Sequence, residues 1–322
     1  MIKKNILLKI FELQKKIRCV EEKIANDYKN NKMRCPTHLS IGQEAVAAAT
    51  GLALSNNDIA VSYHRSHAHF LSKGGEPKKL FAELHGFKEG CSKGVGGSMH
   101  LIDLKKNFYG STAIVSNSIP VGVGLAYSLK LSKKKNLVCI YIGDAAVEEG
   151  VFFESLNFSV LKKLPVVFIC ENNSFSVYTH LKDRQPLNRK IHKLAQAMGA
   201  TSHKLKQDNP FKLFEKLKKI FNNVRKKPRT HFIEIDTCRY LEHCGPNDDS
   251  KLGYRDLKEL AKWKKKDPLV FSKNYLIRNK SITKNKIEAL DQNIIKKISK
   301  DFNNLKNFKK PQFKNIKKLV YR

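Results

Sequence analysis

Three segments of the chain have the residue pattern of helices. Residues 1–30 place apolar residues at helical spacing, and the positions are Leu7, Ile10, Leu13, Ile17, Val20 and Ile24. Residues 120–132 begin with proline, which suits the first turn of a helix, and carry small residues on one side. Residues 284–300 predict a lysine-rich helix near the end of the chain.

Continuous apolar runs elsewhere predict strands that are buried on both faces. The runs are at 58–63, 137–143, 165–171 and 231–236. A helix predicted over 148–163 separates the second run from the third, which makes a βαβ unit. Such units are almost always right-handed, so their two strands are parallel. We therefore expect an α/β fold, with a parallel sheet and helices on both of its faces.

The order of the segments predicts one continuous domain. Residues 90–119 are rich in glycine and serine and are expected to be largely loop. No composition shift suggests a flexible linker. We assign residues 1–268 to the main domain and residues 269–322 to a lysine-rich helical extension of that domain.

Cysteine content and hydropathy predict a cytoplasmic protein with reduced thiols. The chain has 7 cysteines, an odd number, and no CxxC pair, which argues against a disulfide framework or a zinc site. Charges interrupt every apolar stretch of the N-terminal segment, so it does not resemble a signal peptide. No apolar run approaches the ~18 residues that a membrane helix needs.

The formal net charge of +33 raises the question of a polyanionic partner. Of the 62 basic residues 51 are lysines, spread over the whole chain and mixed with asparagine and isoleucine. Nucleic-acid sites usually add arginine forks and stacking aromatic residues. We favour a solvated lysine-rich surface that reflects genome composition, and consider nucleic acid an unlikely partner. An anionic or acidic partner is the alternative.

Two polar residues follow neighbouring strands of the predicted sheet. Asp144 comes directly after the 137–143 run, and Asn173 follows the 165–171 run. Carboxyl ends of adjacent parallel strands share one edge of the sheet, where ligands bind. Carboxylate and amide oxygens suit Mg²⁺, which completes its shell with phosphate and water. The sequence thus predicts a magnesium–diphosphate site, although Asp144 alone could be a helix N-cap and Asn173 part of a turn.

The stretch from Gly143 to Phe175, GDAAVEEGVFFESLNFSVLKKLPVVFICENNSF, resembles the thiamine-diphosphate motif. More narrowly, it resembles the alpha subunits of the pyruvate, branched-chain 2-oxo acid and acetoin dehydrogenases. The resemblance extends from about residue 7 to 268 through further segments in the same order: IRCVEEKIA, THLSIGQEA, YHRSHAHFLSKG, CSKGVGGSMH, NFYGSTAIV and RYLEHCGPNDD. This likeness implies a thiamine-diphosphate-binding fold.

The resemblance implies a role for each matching residue. The side chains of Asp144 and Asn173 and the backbone carbonyl of Phe175 match Mg²⁺ ligands. The positions that match cofactor-binding residues are His64, Arg65, Ala113, Val115, Gly143, Asp144, Ala145, Ala146, Asn173 and His243. The residues that match catalytic positions are His38, His64 and His243. The remaining histidines of the same segment, His67 and His69, are interpreted as loop structure or solvent-exposed residues.

Three departures from the family pattern concern the site. Ala145 replaces the second glycine of the usual GDG, which would strain the backbone if that position required a positive φ angle. Asn117 and Ser118 replace commoner residues near the cofactor. The segment at 241–249 differs from the usual histidine loop. These departures bear on which substrate the site binds more than on which cofactor it binds.

The resemblance implies oxidative decarboxylation of a 2-oxo acid with acyl transfer to lipoyl. The cofactor-activating glutamate lies on the beta subunit in this family, so this chain is expected to act in an α2β2 assembly. A lipoyl acyltransferase is a possible further partner. One alternative is the alpha subunit of an acetoin dehydrogenase. An alternative of another class is an inactive paralogue that binds polyanions.

Overall fold

A computed structural model describes residues 2–33 and 35–312. Met1, the first residue of the predicted N-terminal helix, lies outside the described residues. So do residues 313–322, the last ten of the predicted extension.

The described residues form a six-stranded sheet in the order β2-β1-β3-β4-β8-β7. Every neighbouring pair in it is parallel. A separate two-stranded antiparallel sheet pairs β5 with β6. The strands are β1 Ile59–Ser62, β2 Phe108–Ser111, β3 Val138–Gly143, β4 Val166–Asn172, β5 Phe175–Ser176, β6 Thr179–His180, β7 Thr201–Lys206 and β8 His231–Asp236.

Twelve α-helices surround these strands within the described residues. They are α1 Lys4–Tyr28, α2 Glu44–Ala53, α3 His67–Ser72, α4 Pro77–Leu84, α5 Ser118–Leu131, α6 Gly150–Leu161, α7 Leu181–Arg184, α8 Ile191–Ala197, α9 Pro210–Lys226, α10 Leu257–Lys265, α11 Pro268–Arg278 and α12 Lys284–Asn303.

Alternate residues of the central strands enter two separate cores, because successive side chains of a strand point to opposite faces. In β3, Val138, Ile140 and Ile142 pack with apolar residues of α5, α6 and α8. Cys139 and Tyr141 pack on the opposite face with α1, α2 and α9. The helices therefore cover both faces of a parallel sheet, and the predicted α/β fold class is confirmed.

Most predicted elements are present with shifted ends. The helices predicted at 1–30, 120–132 and 284–300 correspond to α1, α5 and α12. The helix predicted over 148–163 begins at Gly150 as α6, after a 3₁₀ turn over Asp144–Glu148.

The sequence analysis missed both edge strands of the sheet. β2 lies inside the segment 90–119 that was expected to be largely loop, and β7 was not predicted at all. Edge strands bury less of their surface: β7 has one buried residue, Leu205, among six. Without a continuous apolar run, neither edge strand has the pattern of a buried strand.

The C-terminal helices pack onto the same core as the N-terminal one. Ile287 and Ile298 of α12 and Leu276 of α11 are buried in the cluster that includes α1 and α4. These contacts agree with an extension of the main domain, and the boundary at residue 268 stays a prediction.

Two further predictions concern the thiols and the hydropathy of the chain. None of the seven cysteines is joined in a disulfide in the structure, and their reduced state stays a prediction. Among the described residues, we find no helix with the length and apolar character that crossing a bilayer demands.

Two glycines of α5 differ in their surroundings, which allows a matched pair of variants. A Cβ atom at Gly122 would lie 2.5 Å from Ile140 Cγ1, whereas one at Gly124 would meet no atom within 4 Å. We expect Gly122→Ala to lower the free energy of unfolding by about 1–3 kcal/mol through overpacking. Gly124→Ala should raise it by about 0.5–1 kcal/mol, because alanine favours a helix. Urea denaturation of the full chain measures both, and equal midpoints would contradict the packing argument.

Candidate functional site

One cavity of about 180 Å³ lies at the carboxyl end of the sheet, where β1, β3 and β4 finish. Every residue that the sequence predicted for the site lines this cavity: His38, His64, Arg65, Ala113, Val115, Gly143, Asp144, Ala145, Ala146, Asn173, Phe175 and His243. These residues come from distant parts of the chain, so the fold brings together what the sequence separates.

Asp144 follows β3 directly and is almost fully buried, with 1% of its surface exposed. Its Oδ2 atom accepts a hydrogen bond from Arg184 Nη2 at 2.5 Å. Burial raises the pKa of the Asp144 carboxyl to about 6, although the Arg184 guanidinium acts in the opposite direction. Asp144 is the first residue of the 3₁₀ turn, whose N-cap is Gly143, and the N-cap of the following α6 is Glu149. The N-cap alternative for Asp144 is therefore wrong.

Asn173 follows β4, whose register pairs Glu171 with Gly143 of β3. Its Oδ1 atom accepts a hydrogen bond from the backbone amide of Phe175 at 3.0 Å. This is the local turn that the sequence analysis considered as the alternative. The same turn places Asn173 and Phe175 on the cavity wall with Asp144.

The oxygen atoms available here suit a small divalent cation. Asp144 supplies a carboxylate, Asn173 a side-chain amide oxygen and Phe175 a backbone carbonyl, all hard donors of the kind that Mg²⁺ uses with phosphate oxygens. A buried carboxylate stays an anion only where hydrogen bonds or a positive charge compensate for the lost water, and a metal ion can supply such a charge. The residues present therefore fit a metal-bound diphosphate.

Three histidines form a cluster on another part of the cavity wall. Nitrogen atoms of His38, His64 and His243 lie within 4.8 Å of one another. Their ring centroids are 4.5 to 5.3 Å apart. Burial, and then the nearby charge of Arg65, lower the pKa values of His64 and His243 to about 3. The same two causes lower the pKa of His38 further, so all three are neutral at pH 7 without ligand.

Comparison with known proteins places this arrangement in a family. The family model described as "Dehydrogenase E1 component" matches residues 13–314. The chain belongs to the dehydrogenase E1 component family. This confirms the predicted resemblance to alpha subunits of thiamine-diphosphate-dependent 2-oxo acid dehydrogenases, and the family implies dependence on thiamine diphosphate.

Three curated relatives of this E1 chain are alpha subunits of pyruvate dehydrogenase. A pyruvate dehydrogenase E1 component subunit alpha from Rickettsia typhi is 35% identical over 291 residues, which cover 90% of this chain and 88% of the relative. The mitochondrial subunit of that name from Dictyostelium discoideum is 33% identical, over 90% of this chain and 76% of the relative. The subunit from Porphyra purpurea is 30% identical, over 90% and 86%.

Ala145 has no backbone strain in this E1 chain. It lies inside the 3₁₀ turn over Asp144–Glu148, which is a right-handed conformation open to any L-residue. The replacement of the usual glycine therefore preserves a small side chain on the cavity wall without a positive φ angle. The next α-helix, α6, starts after this turn, at Gly150.

Arg65 is buried, and both terminal nitrogen atoms of its guanidinium group donate hydrogen bonds within the protein. Nη1 donates to the carbonyl of Leu39 at 2.6 Å, and Nη2 donates to the carbonyl of His243 at 3.1 Å. Arg65 thereby ties the segment of His38 to the loop of His243, beside the cavity. Its predicted contact with a diphosphate stays a prediction.

His67 and His69 lie on α3 and are buried, so the expectation of loop or solvent-exposed positions was wrong. His67 Nε2 lies 2.8 Å from Ser98 Oγ, and His69 Nδ1 lies 2.8 Å from Ser62 Oγ. Neither residue lines the cavity. Their contacts indicate a structural role.

The glycine-rich segment 94–97 surrounds an internal carboxylate. Backbone amides of Ser92 and Gly94 donate to Glu83 Oε2, and those of Gly96 and Gly97 donate to Glu83 Oε1, at 2.7 to 3.2 Å. These bonds explain the glycines, because the backbone must approach the carboxylate closely. The segment is thus a loop whose backbone approaches Glu83 closely.

Three side chains around the site were not predicted. Glu171 accepts a hydrogen bond from Tyr63, a cavity residue, at 2.6 Å. A glutamate inside the otherwise apolar run of β4 was a usable signal for this contact. Asp249 pairs with Arg239 at 2.8 Å and thereby closes the loop that carries His243. Arg184, beside Asp144, stands in a polar stretch that gave no signal.

Proposed function

We propose that this chain is the alpha subunit of a pyruvate dehydrogenase-type E1 component, and that it holds the magnesium–diphosphate end of thiamine diphosphate. The observation that carries the proposal is the shared cavity of Asp144, Asn173 and Phe175 at the ends of β3 and β4. The names of the relatives support pyruvate as the 2-oxo acid. A lipoyl group on an acyltransferase is the proposed acceptor.

The roles of the cavity residues follow from their chemistry. Asp144, Asn173 and the Phe175 carbonyl would hold Mg²⁺, and the backbone amides of Ala145 and Ala146 would face the diphosphate. When bound, thiamine diphosphate supplies the electron sink for decarboxylation of the 2-oxo acid. The other assigned positions, Gly143, Ala113, Val115, His64 and Arg65, would surround the cofactor on this chain's side.

The histidine cluster would face the substrate. His38, His64 and His243 are neutral in the ligand-free chain, so each can donate one hydrogen bond and accept another. An anionic ligand in the cavity would offset the charge of Arg65 and raise the pKa values of these imidazoles. Proton transfer near neutral pH then comes within their reach.

Two observations support a beta subunit that completes the site. The cavity of about 180 Å³ is smaller than the ~300–1,000 Å³ usual for ligand sites. No glutamate stands among the described residues that line it, so the cofactor-activating glutamate would come from the partner.

An uncovered apolar surface also supports a protein partner. The second core lies on the face of the sheet that α5 and α6 cover, and both helices leave large apolar side chains in solvent. Leu131 and Leu161 are 65% and 71% exposed, and Val121 and Phe158 are also exposed. Exposed apolar side chains on two neighbouring helices fit a surface that a partner protein covers.

Calorimetry on the copurified alpha–beta pair tests the proposal. We expect thiamine diphosphate to bind with measurable heat when Mg²⁺ is present and to lose that heat when EDTA removes the metal. Turnover should be highest with pyruvate, lower with branched-chain 2-oxo acids and absent with acetoin. A pair that binds no cofactor at any Mg²⁺ concentration would contradict the proposal, and a preference for acetoin would reassign the substrate.

A further inference from the structure

Asp144 belongs to a small network of ion pairs. Arg184, the last residue of α7, donates through Nη2 to Asp144 Oδ2 at 2.5 Å and pairs through Nη1 with Glu148 Oε1. Gln185 Nε2 donates to the same Glu148 atom at 2.8 Å. Arg184 Nε donates to the carbonyl of Thr179 at 3.3 Å. The guanidinium is thus held from three directions, with only 10% of its side chain exposed.

Asp144 belongs both to the cavity wall and to the ion pair with Arg184. Asp144 lines the cavity, whereas neither Arg184 nor Glu148 is among the residues that line it. Arg184 therefore contacts the carboxylate from outside the cavity wall and engages the Oδ2 atom. Nη2 makes a single hydrogen bond to Oδ2, and Nη1 is held by Glu148, so the position of the Oδ2 atom is restrained by an anchored guanidinium.

We propose that Arg184 is a positioning residue for the metal, which orients the Asp144 carboxylate toward the cavity. The proposal rests on the proposed function, in which Asp144 is a Mg²⁺ ligand. Carboxylates that bind metals are commonly fixed by hydrogen bonds from outer residues, and the loss of such a partner weakens metal binding. Glu148 and Gln185 would in turn hold Arg184.

The charges of the group are compatible with cation binding. Asp144 and Glu148 carry two negative charges and Arg184 one positive charge, so the three together retain a net negative charge. Without Arg184 the Asp144 carboxylate would lose the hydrogen bond that holds its Oδ2 atom in place. The opposite possibility, that Arg184 competes with the metal for Asp144, predicts tighter metal binding when Arg184 is removed.

The experiment compares Arg184→Gln, Arg184→Lys and Arg189→Gln in the copurified alpha–beta pair. Arg189 is exposed on the same segment and serves as the matched control. Thiamine diphosphate binding is followed by calorimetry across a range of Mg²⁺ concentrations, and Mn²⁺ binding is followed by electron paramagnetic resonance. We expect Arg184→Gln to raise the Mg²⁺ concentration for half-maximal cofactor binding about 10- to 100-fold. Arg184→Lys should be intermediate, and Arg189→Gln should match the unmodified pair.

The outcomes separate this inference from the proposed function. If the unmodified pair shows no metal-dependent cofactor binding, the proposed function fails. If it does bind, an unchanged or lower Mg²⁺ requirement in Arg184→Gln overturns the inference alone. A purely structural role of Arg184 would weaken cofactor binding equally at all Mg²⁺ concentrations, which also overturns it. Thermal unfolding of each variant without metal identifies a change that is only a loss of folded protein.

Discussion

Replacing Asp144 with asparagine is expected to remove the Mg²⁺-dependent retention of thiamine diphosphate. Asparagine keeps the size of the side chain but removes the negative charge from the metal site. The loss of a charged ligand should weaken Mg²⁺ binding more than the ~10- to 100-fold cost of losing an outer partner. Gel filtration of the alpha–beta pair with Mg²⁺ and thiamine diphosphate, followed by assay of bound cofactor, measures the effect.

The variant also leaves Arg184 without one of its two carboxylates, so folding must be checked. Glu148 still pairs with Arg184, and we expect a modest fall in the melting temperature rather than unfolding. Asp183→Asn is the matched control, because Asp183 is exposed on α7 next to Arg184. Full cofactor retention by a folded Asp144→Asn pair would remove Asp144 from the metal site and with it the proposed function.

Strands that are buried on both faces could be predicted from the sequence, whereas the exposed edge strands could not. β3 and β4 are buried on both faces, so their residues form continuous apolar runs that are recognisable without further information. β7 has solvent on part of both faces and carries the sequence TSHKLK, which has no run and no regular alternation. Its place in the sheet is decided by pairing with β8, a long-range contact that local sequence does not encode.

Site residues could be placed together from the sequence only where one βαβ unit connects them. Asp144 and Asn173 could be brought together from the sequence, because one right-handed βαβ unit places both strand ends at one edge. The approach of His243 to His38 and His64 came from the family resemblance, since a loop more than 170 residues further along the chain has no local constraint that places it. Arg184 was missed for the same reason: only the folded α7 brings it to Asp144.

Replacing His243 with glutamine is expected to lower the turnover number of the alpha–beta pair while weakening cofactor binding much less. His243 is partly buried beside His38, His64 and Arg65, and it is neutral at pH 7 because burial and Arg65 lower its pKa to about 3. A neutral imidazole can accept a proton or a hydrogen bond from a reacting group, which an amide does far less well. The loss of such a group typically costs about 10²- to 10⁴-fold in rate.

Steady-state kinetics with pyruvate, together with calorimetry of thiamine diphosphate, separates the catalytic role of His243 from a binding role. We expect kcat to fall and the cofactor dissociation constant to change little. His203→Gln is a suitable control, because His203 stacks on His231 at the sheet edge and does not line the cavity. An unchanged kcat would exclude His243 from proton handling. An equal loss of kcat and cofactor affinity would make His243 a cofactor-binding residue. Such a residue changes the fraction of enzyme that holds cofactor and does not act on the reacting atoms.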